Sequence, residues 1–255
     1  MSHAYTVVGD PESYGGRLLI TCEHAVNTVP APLSSDEGDQ RWLDDHWGWD
    51  IGAAEVVREL VRLKGCVAVL SDFSRLVIDA NRELGHPDLI REQIHGRTLS
   101  FNKDLSAAEI ERRAEQYHTP YHNGVSEQLK RRLELDGDVL LLSVHSFTPD
   151  LDGDIRPMEM GVLFDDFTAV AERFGKLIED QGFVTALNEP YSGMSGLIYS
   201  ANLHGRNHGV IYIELEIRQD LIDTPAKARS VARRLEPALT ALQVRGSRRG
   251  RESAL

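Results

Sequence analysis

The sequence predicts an α/β fold, a single domain with a mixed sheet and helices on both faces. Three observations point there. Short apolar runs of strand length alternate with stretches whose apolar residues recur at helical spacing, the order that buries a sheet between helical layers. No internal repeat and no linker of domain-boundary character interrupts them. The 255 residues, 41% of them hydrophobic, suffice for a sizeable core without a disulfide framework or a structural metal. The domain is expected over residues 1–243, and the basic, Gly/Ser-containing residues 244–255 (VRGSRRGRESAL) are expected to form a flexible tail.

The elements follow in order. Arg17–Cys22 (RLLITC) is the first strand-length run, and Pro30, Pro32, Ser34 and Ser35 mark a loop after it. Ile51, Ala54, Val57 and Val61 recur at helical spacing within a helix expected over about 45–63, and Gly65 stands where a helix-ending glycine belongs. Cys66–Leu70 (CVAVL) and Leu76–Ile78 (LVI) read as strands, and 81–105 as polar and irregular. Ser106 with Glu109 makes a capping box at the head of a long helix, which Pro120 is expected to kink or split near Tyr117–Tyr121. Val139–Val144 (VLLLSV) has the fully apolar look of a buried parallel strand. Met160–Phe164, Phe183–Leu187 and Val210–Ile217 read as further strands, and Thr168–Glu179 and Pro225–Leu242 as further helices. Glu109, Glu111, Arg112 and Arg113 read as a solvated helix face.

Composition narrows the function classes. A formal net charge of −12 argues against a general nucleic-acid binder and, more weakly, against an anionic membrane surface. It leaves room for a small anionic substrate, because a few local arginines can outweigh the global field. Two cysteines, Cys22 and Cys66, make neither a metal-type CxxC nor a disulfide framework. The N-terminal stretch lacks a signal-peptide core and no apolar run is long enough to span a membrane, so a cytoplasmic protein is expected.

In open α/β sheets, ligands bind beyond the carboxyl ends of the strands. Glu23 and His24 follow RLLITC, Asp79, Asn81 and Arg82 follow LVI, and His145 and Ser146 follow VLLLSV. Glu216 and Arg218 close the run VIYIELEIR. A lone histidine after a strand is more often a loop residue than a ligand. Two at equivalent strand ends, with carboxylates nearby, fit a catalytic zinc set of two histidines and a carboxylate. Along 210–218, Ile211, Ile213, Leu215 and Ile217 share one face and Tyr212, Glu214, Glu216 and Arg218 the other. Glu216 lies nearer the carboxyl end than Glu214 and is the better candidate general base.

At these residues the chain resembles a known family. The runs LLITCEHAVNTVP (18–30), DDHWGWDIGAAEV (44–56), SRLVIDANRE (74–83), LLSVHSFTP (141–149), GVLFD (161–165) and IELEIRQDL (213–221) together resemble the N-formylglutamate amidohydrolase family, in order and over about residues 18–221. The resemblance implies a phosphorylase/hydrolase-like, zinc carboxypeptidase-like α/β domain. It implies one zinc ion per chain and hydrolysis of N-formylglutamate, or a close analogue, to formate and glutamate in histidine breakdown. Carried over residue by residue, it places the metal on His24, Asp50 and His145 and the catalytic base on Glu216; Glu23, which adjoins His24, is the alternative third ligand. Arg75, Asn81, Arg82 and Arg218 are expected to bind the substrate, a small anionic N-acyl amino acid, because a planar guanidinium matches a carboxylate bidentately. The sequence departs from the family's familiar form at Cys22-Glu23-His24, where a proline often precedes the histidine, and at Met158-Glu159-Met160-Gly161.

Two other readings stand beside this one. Cys22 could be the nucleophile of a cysteine-dependent amidase, although adjacent residues on an extended chain point oppositely and His24 would be poorly placed to activate it. A non-catalytic relative could have kept the fold as a small-molecule binder and lost the reaction.

Overall fold

Alternating apolar residues in short strands force helices onto both faces of one sheet, and the computed structural model of the chain has that architecture. It describes residues 3–12, 17–151 and 153–242; the tail expected over 244–255 lies outside the described residues. The strands in chain order are β1 (Tyr5–Val8), β2 (Leu18–Cys22), β3 (Val67–Ser71), β4 (Gln93–Ile94), β5 (Arg97–Thr98), β6 (Leu140–Phe147), β7 (Asp150–Leu151), β8 (Asp154–Ile155), β9 (Met160–Leu163), β10 (Thr185–Leu187) and β11 (Ile211–Arg218). The helices are α1 (Glu37–Leu43), α2 (Ala53–Lys64), α3 (Ala107–Arg113), α4 (Thr119–Asp136), α5 (Thr168–Glu179), α6 (Tyr199–His208) and α7 (Pro225–Ala241).

Seven strands form a mixed sheet in the order β1-β3-β2-β6-β11-β9-β10, while β4–β5 and β7–β8 are small separate ribbons. The central strands β3, β2, β6 and β11 run parallel, β1 is antiparallel to β3, and β9 is antiparallel to β11. Period-two alternation splits the core in two. Ile20, Cys22, Ala68, Leu70, Leu142, Ile213 and Leu215 face α2, α5 and α7. Leu19, Val67, Val69, Leu141 and Tyr212 face α4 and α6. All four parallel strands therefore present their carboxyl ends along the same edge.

Most expected elements are present within a residue or two, and the exceptions have physical causes. The helix expected from about 45 begins at Ala53, after turns over 45–52, and ends as expected at Gly65, whose φ of +62° suits glycine. Ser106 caps α3 by accepting from the Glu109 N–H. A wide π-type turn over Ala114–His118 then separates α3 from α4, and Pro120 sits in the first turn of α4, where its missing N–H costs nothing.

Leu76–Ile78 is not a strand but a buried turn segment. Its carbonyls are satisfied by side chains instead of a ladder: Asn102 Nδ2 donates to Leu76 O at 2.8 Å and Arg113 Nη1 to Val77 O at 3.0 Å. Arg113 accordingly belongs to the interior and not to a solvated face. β1, α1 and α6 had no counterpart in the sequence reading.

Candidate active site

The parallel order of β2, β3, β6 and β11 gathers residues from the whole chain at one sheet edge. His145 and Glu216 occupy paired positions on neighbouring strands, as do Ser143 and Glu214, so all four side chains point to the same face. His24 stands two residues beyond the end of β2, and Asp50 is tied beside it by its N–H donating to the His24 carbonyl at 2.9 Å. The turn segment after β3 adds Arg75, Asp79, Asn81 and Arg82. All of these except Ser143 border one cavity of about 250 Å³, a size suited to a small metabolite.

His24 and His145 are arranged alike. Each turns its Nε2 to a buried carboxylate, His24 to Asp79 at 2.7 Å and His145 to Glu23 at 3.1 Å. Because a carboxylate only accepts, both Nε2 atoms donate, and His145 Nδ1, 2.7 Å from Asp50 Oδ2, donates as well when that ring is protonated. The two Nδ1 atoms lie 3.2 Å apart, and Asp50 Oδ2 stands 2.7 Å from that of His145 and 3.4 Å from that of His24. Three atoms able to bind a metal thus converge, and either a proton on His145 Nδ1 or a bound cation makes the triangle favourable. Donors about 2.1 Å from a tetrahedral zinc stand roughly 3.4 Å from one another; two of the three separations match that spacing and the third, at 2.7 Å, is that of a hydrogen bond.

The electrostatics point the same way. Glu23, Asp50, Asp79, Glu214 and Glu216 are all buried around the two rings. Burial opposes a charge on His145, but Glu214, Asp50 and Glu23 outweigh it and raise its pKa well above the ordinary value. Burial and neighbouring carboxylates push Glu214 up to about 8 and Glu216 up to about 7, against the opposing pull of His145. Glu214 Oε2 and Glu216 Oε2 are buried without a hydrogen-bond partner. The cluster gathers more carboxylates than cationic groups, a balance that suits a bound cation.

The histidines' carboxylate partners are themselves anchored. Burial would raise the Glu23 carboxyl, but His145 and the hydroxyls of Ser200 and Ser143 hold it below the usual range. Ser143 and Ser200 each donate to it at 2.7 Å, and Tyr121 Oη at 3.1 Å. Asp79 accepts from Arg75 Nη2 and from the Asn81 N–H, both at 2.8 Å.

Of the residues expected to bind substrate, the structure brings Arg75, Asn81 and Arg82 to the cavity wall and leaves Arg218 out. Arg75 is engaged by Asp79 and by Asp50, at 2.8 and 3.6 Å. The Asn81 side chain spans Leu197 O and the Ser200 N–H, fixing the approach to α6. Arg82 donates to the carbonyl of Asn81 and has no carboxylate partner among the described residues. Arg218 instead clamps the backbone: its Nη1 donates to the carbonyls of Arg156, Pro157 and Met158 at 3.2–3.3 Å. Glu23, the alternative third ligand, faces Nε2 of His145, away from the triangle.

Cys22 is fully buried in the core facing α2, and burial pushes its thiol far above the ordinary value, which removes it as a nucleophile. Trp47, Tyr191 and Thr148 also line the cavity and were not anticipated, since no periodicity marks loop residues that meet only in the fold.

A family model described as N-formylglutamate amidohydrolase matches residues 16–223. No curated protein matches the chain. Among solved structures, the chain is similar to a gene product of Agrobacterium tumefaciens, with 29% identity and a TM-score of 0.84, over 94% of this chain and 96% of that one. It is similar in fold to an N-formylglutamate amidohydrolase from Ralstonia eutropha, with 19% identity and a TM-score of 0.76, over 94% of this chain and 97% of that one. A metallo-carboxypeptidase from Burkholderia cenocepacia aligns at 12% identity and a TM-score of 0.42, over 93% of this chain and 60% of that one, a likeness too remote to argue from.

Proposed function

Since the chain belongs to the N-formylglutamate amidohydrolase family, we propose that it is a zinc-dependent amidohydrolase that cleaves a small anionic N-acyl amino acid, N-formylglutamate or a close analogue. The observation that supports this best is the convergence of two Nδ1 atoms and a carboxylate oxygen beside the unpartnered Glu216 Oε2, on the wall of a metabolite-sized cavity. His24 Nδ1, His145 Nδ1 and Asp50 would hold one zinc ion. Bound there, zinc supplies Lewis acidity, polarising an amide carbonyl and acidifying water.

The chain's own groups do the rest. Glu216 Oε2 takes a proton from the attacking water as the water oxygen bonds to the carbonyl carbon. The same proton then passes to the amide nitrogen as the C–N bond breaks, leaving a carboxylic acid and a free amino acid. Arg82, with no carboxylate of its own, holds a substrate carboxylate bidentately. Asp79 and Glu23 keep both imidazoles in the tautomer whose Nδ1 faces the metal position. Among the described residues no helix is long and apolar enough to cross a membrane.

The test combines metal analysis with an assay of N-acyl amino acids. Purified protein should hold about one zinc per chain and release formate from N-formylglutamate. Chelation should abolish turnover, zinc should restore it, and thiol alkylation should leave it intact. Full turnover by metal-free protein, or zinc bound elsewhere after both histidines are replaced, would overturn the reading.

A further inference from the structure

Asn81 borders the cavity, yet both ends of its side-chain amide are already engaged by the protein. Its Oδ1 accepts from the Ser200 N–H at 2.9 Å and its Nδ2 donates to the Leu197 carbonyl at 3.3 Å. Ser200 stands in the first turn of α6, where an N–H has no partner within its own helix and must find an acceptor outside it. Ile198, at the N-cap position, has no side chain that could supply one. The acceptor comes instead from Asn81, 119 positions earlier in the chain. Both residues are buried, so water is not at hand to replace the bond.

Each of the two residues also holds a carboxylate that turns to a histidine. The Asn81 N–H donates at 2.8 Å to Asp79 Oδ1, the oxygen that faces His24 Nε2 at 2.7 Å. Ser200 Oγ donates at 2.7 Å to Glu23 Oε1, and the other Glu23 oxygen faces His145 Nε2 at 3.1 Å. Contacts therefore run without a gap from one imidazole to the other, through Asp79, Asn81, Ser200 and Glu23. On the opposite side the two imidazoles meet at Asp50. Without the Asn81–Ser200 bond the two carboxylates would be held separately, Asp79 by Arg75 and Glu23 by Ser143 and Tyr121.

We propose that Asn81 is a positioning residue: through Ser200 and Glu23 it sets the orientation of His145 and ties it to the segment that orients His24. The direction of the effect is specific. Asn81 holds Asp79 with its backbone N–H, so loss of the side chain leaves the His24 branch bonded and disturbs the His145 branch, which Asn81 does not touch. A residue that bound substrate, or only braced the fold, would not act selectively on that imidazole. The consequence for zinc rests on reading His24 and His145 as its ligands, but the path of bonds can be tested in metal-free protein.

The variants are Asn81→Ala, Ser200→Ala and the two combined. Imidazole nitrogen shifts are read by NMR without metal, and zinc affinity by competition with a chelator. Asn81→Ala should move the His145 nitrogens in the same direction as Ser200→Ala and leave those of His24 nearer their place. Zinc affinity should fall about tenfold, the lower end of what loss of a ligand's own partner costs. Because one path carries both effects, the combined variant should lie within about twofold of Ser200→Ala alone. Losses that multiply would overturn the proposal. So would an Asn81→Ala protein that melts lower, or shows a raised KM, while His145 shifts and zinc affinity stay unchanged. Unmoved His145 signals in Ser200→Ala would overturn it even if Asn81→Ala failed to fold. A protein that shows the His145 shifts yet binds no zinc would sink the metal reading and leave the positioning role standing.

Discussion

Replacing Glu23 with glutamine separates a ligand from a residue that orients one. Glu23 is fully buried and accepts four hydrogen bonds, from Ser143, Ser200, Tyr121 and Nε2 of His145. Glutamine keeps the shape, and its amide oxygen can still accept from His145 if the amide nitrogen turns to Tyr121 and Ser200, whose hydroxyls can rotate to accept. What disappears is the charge that makes His145 a stronger donor at Nε2 and a more basic ligand at Nδ1. Losing such a partner typically costs 10–100-fold in metal affinity, or about 1.4–2.8 kcal/mol. The assay is zinc competition against a fluorescent chelator at pH 7.5, with imidazole nitrogen shifts read by NMR to follow the His145 tautomer. Affinity within threefold of the unaltered protein would refute the orienting role. A loss beyond 10⁴-fold would instead make Glu23 a direct ligand.

Other outcomes follow from the same geometry. Glu216→Gln should lower kcat by about 10²–10⁴-fold while zinc content stays near one per chain, and Glu214→Gln should lower kcat less; near-normal kcat at Glu216 would remove it as the base. His204, held near 4 mainly by burial, has a depressed folded-state pKa, so below the unfolded value of about 6.5 the unfolded chain gains a proton that the folded chain does not. That costs nothing above pH 6.5 and grows to about 3 kcal/mol as pH falls to 4. Urea midpoints measured from pH 7 to 4.5 should accordingly fall less steeply for His204→Gln, and parallel curves would show that His204 does not contribute. Gly161 faces Glu216 across the β9–β11 pair, and a Cβ there would lie 2.2 Å from the carbonyl oxygen of Glu189. Gly161→Ala should therefore cost roughly 1–3 kcal/mol and raise KM by displacing Tyr191; an unchanged melting temperature and KM would contradict the close packing.

What was legible in the sequence was what local pattern encodes. His24, His145 and Glu216 could be placed because each follows or ends an apolar strand run, and carboxyl ends of parallel strands gather at one edge. Asp50 had no such signal and came only through the family pattern. The pairing of His24 with Asp79, across 55 positions, was invisible because nothing local ties a ring to a distant carboxylate. The run Leu76–Ile78 misled for a definite reason: it is apolar because it is buried, while Asn102 and Arg113 take over the bonding that a neighbouring strand would supply. α6 (YSANLHGRNH) was missed because its buried side includes Ser200 and His204 in place of an apolar stripe. Tyr191 sits in a connecting segment, where neither periodicity nor capping announces a role.

In the proposed zinc site both histidines would offer the imidazole nitrogen closest to their own backbone, so the ligand arms would be short. Short arms from β6 and the end of β2 can meet only because those strands are direct hydrogen-bonded neighbours, about 4.8 Å apart. The spacing of the two donors is thereby inherited from the stiffness of the sheet rather than from the reach of flexible side chains. The same fact sets which substitute can stand in for either ring. The amide oxygen of asparagine falls where the inner nitrogen lies, whereas that of glutamine reaches the outer one. Asparagine at His24 or His145 should keep measurable zinc binding, and glutamine should not.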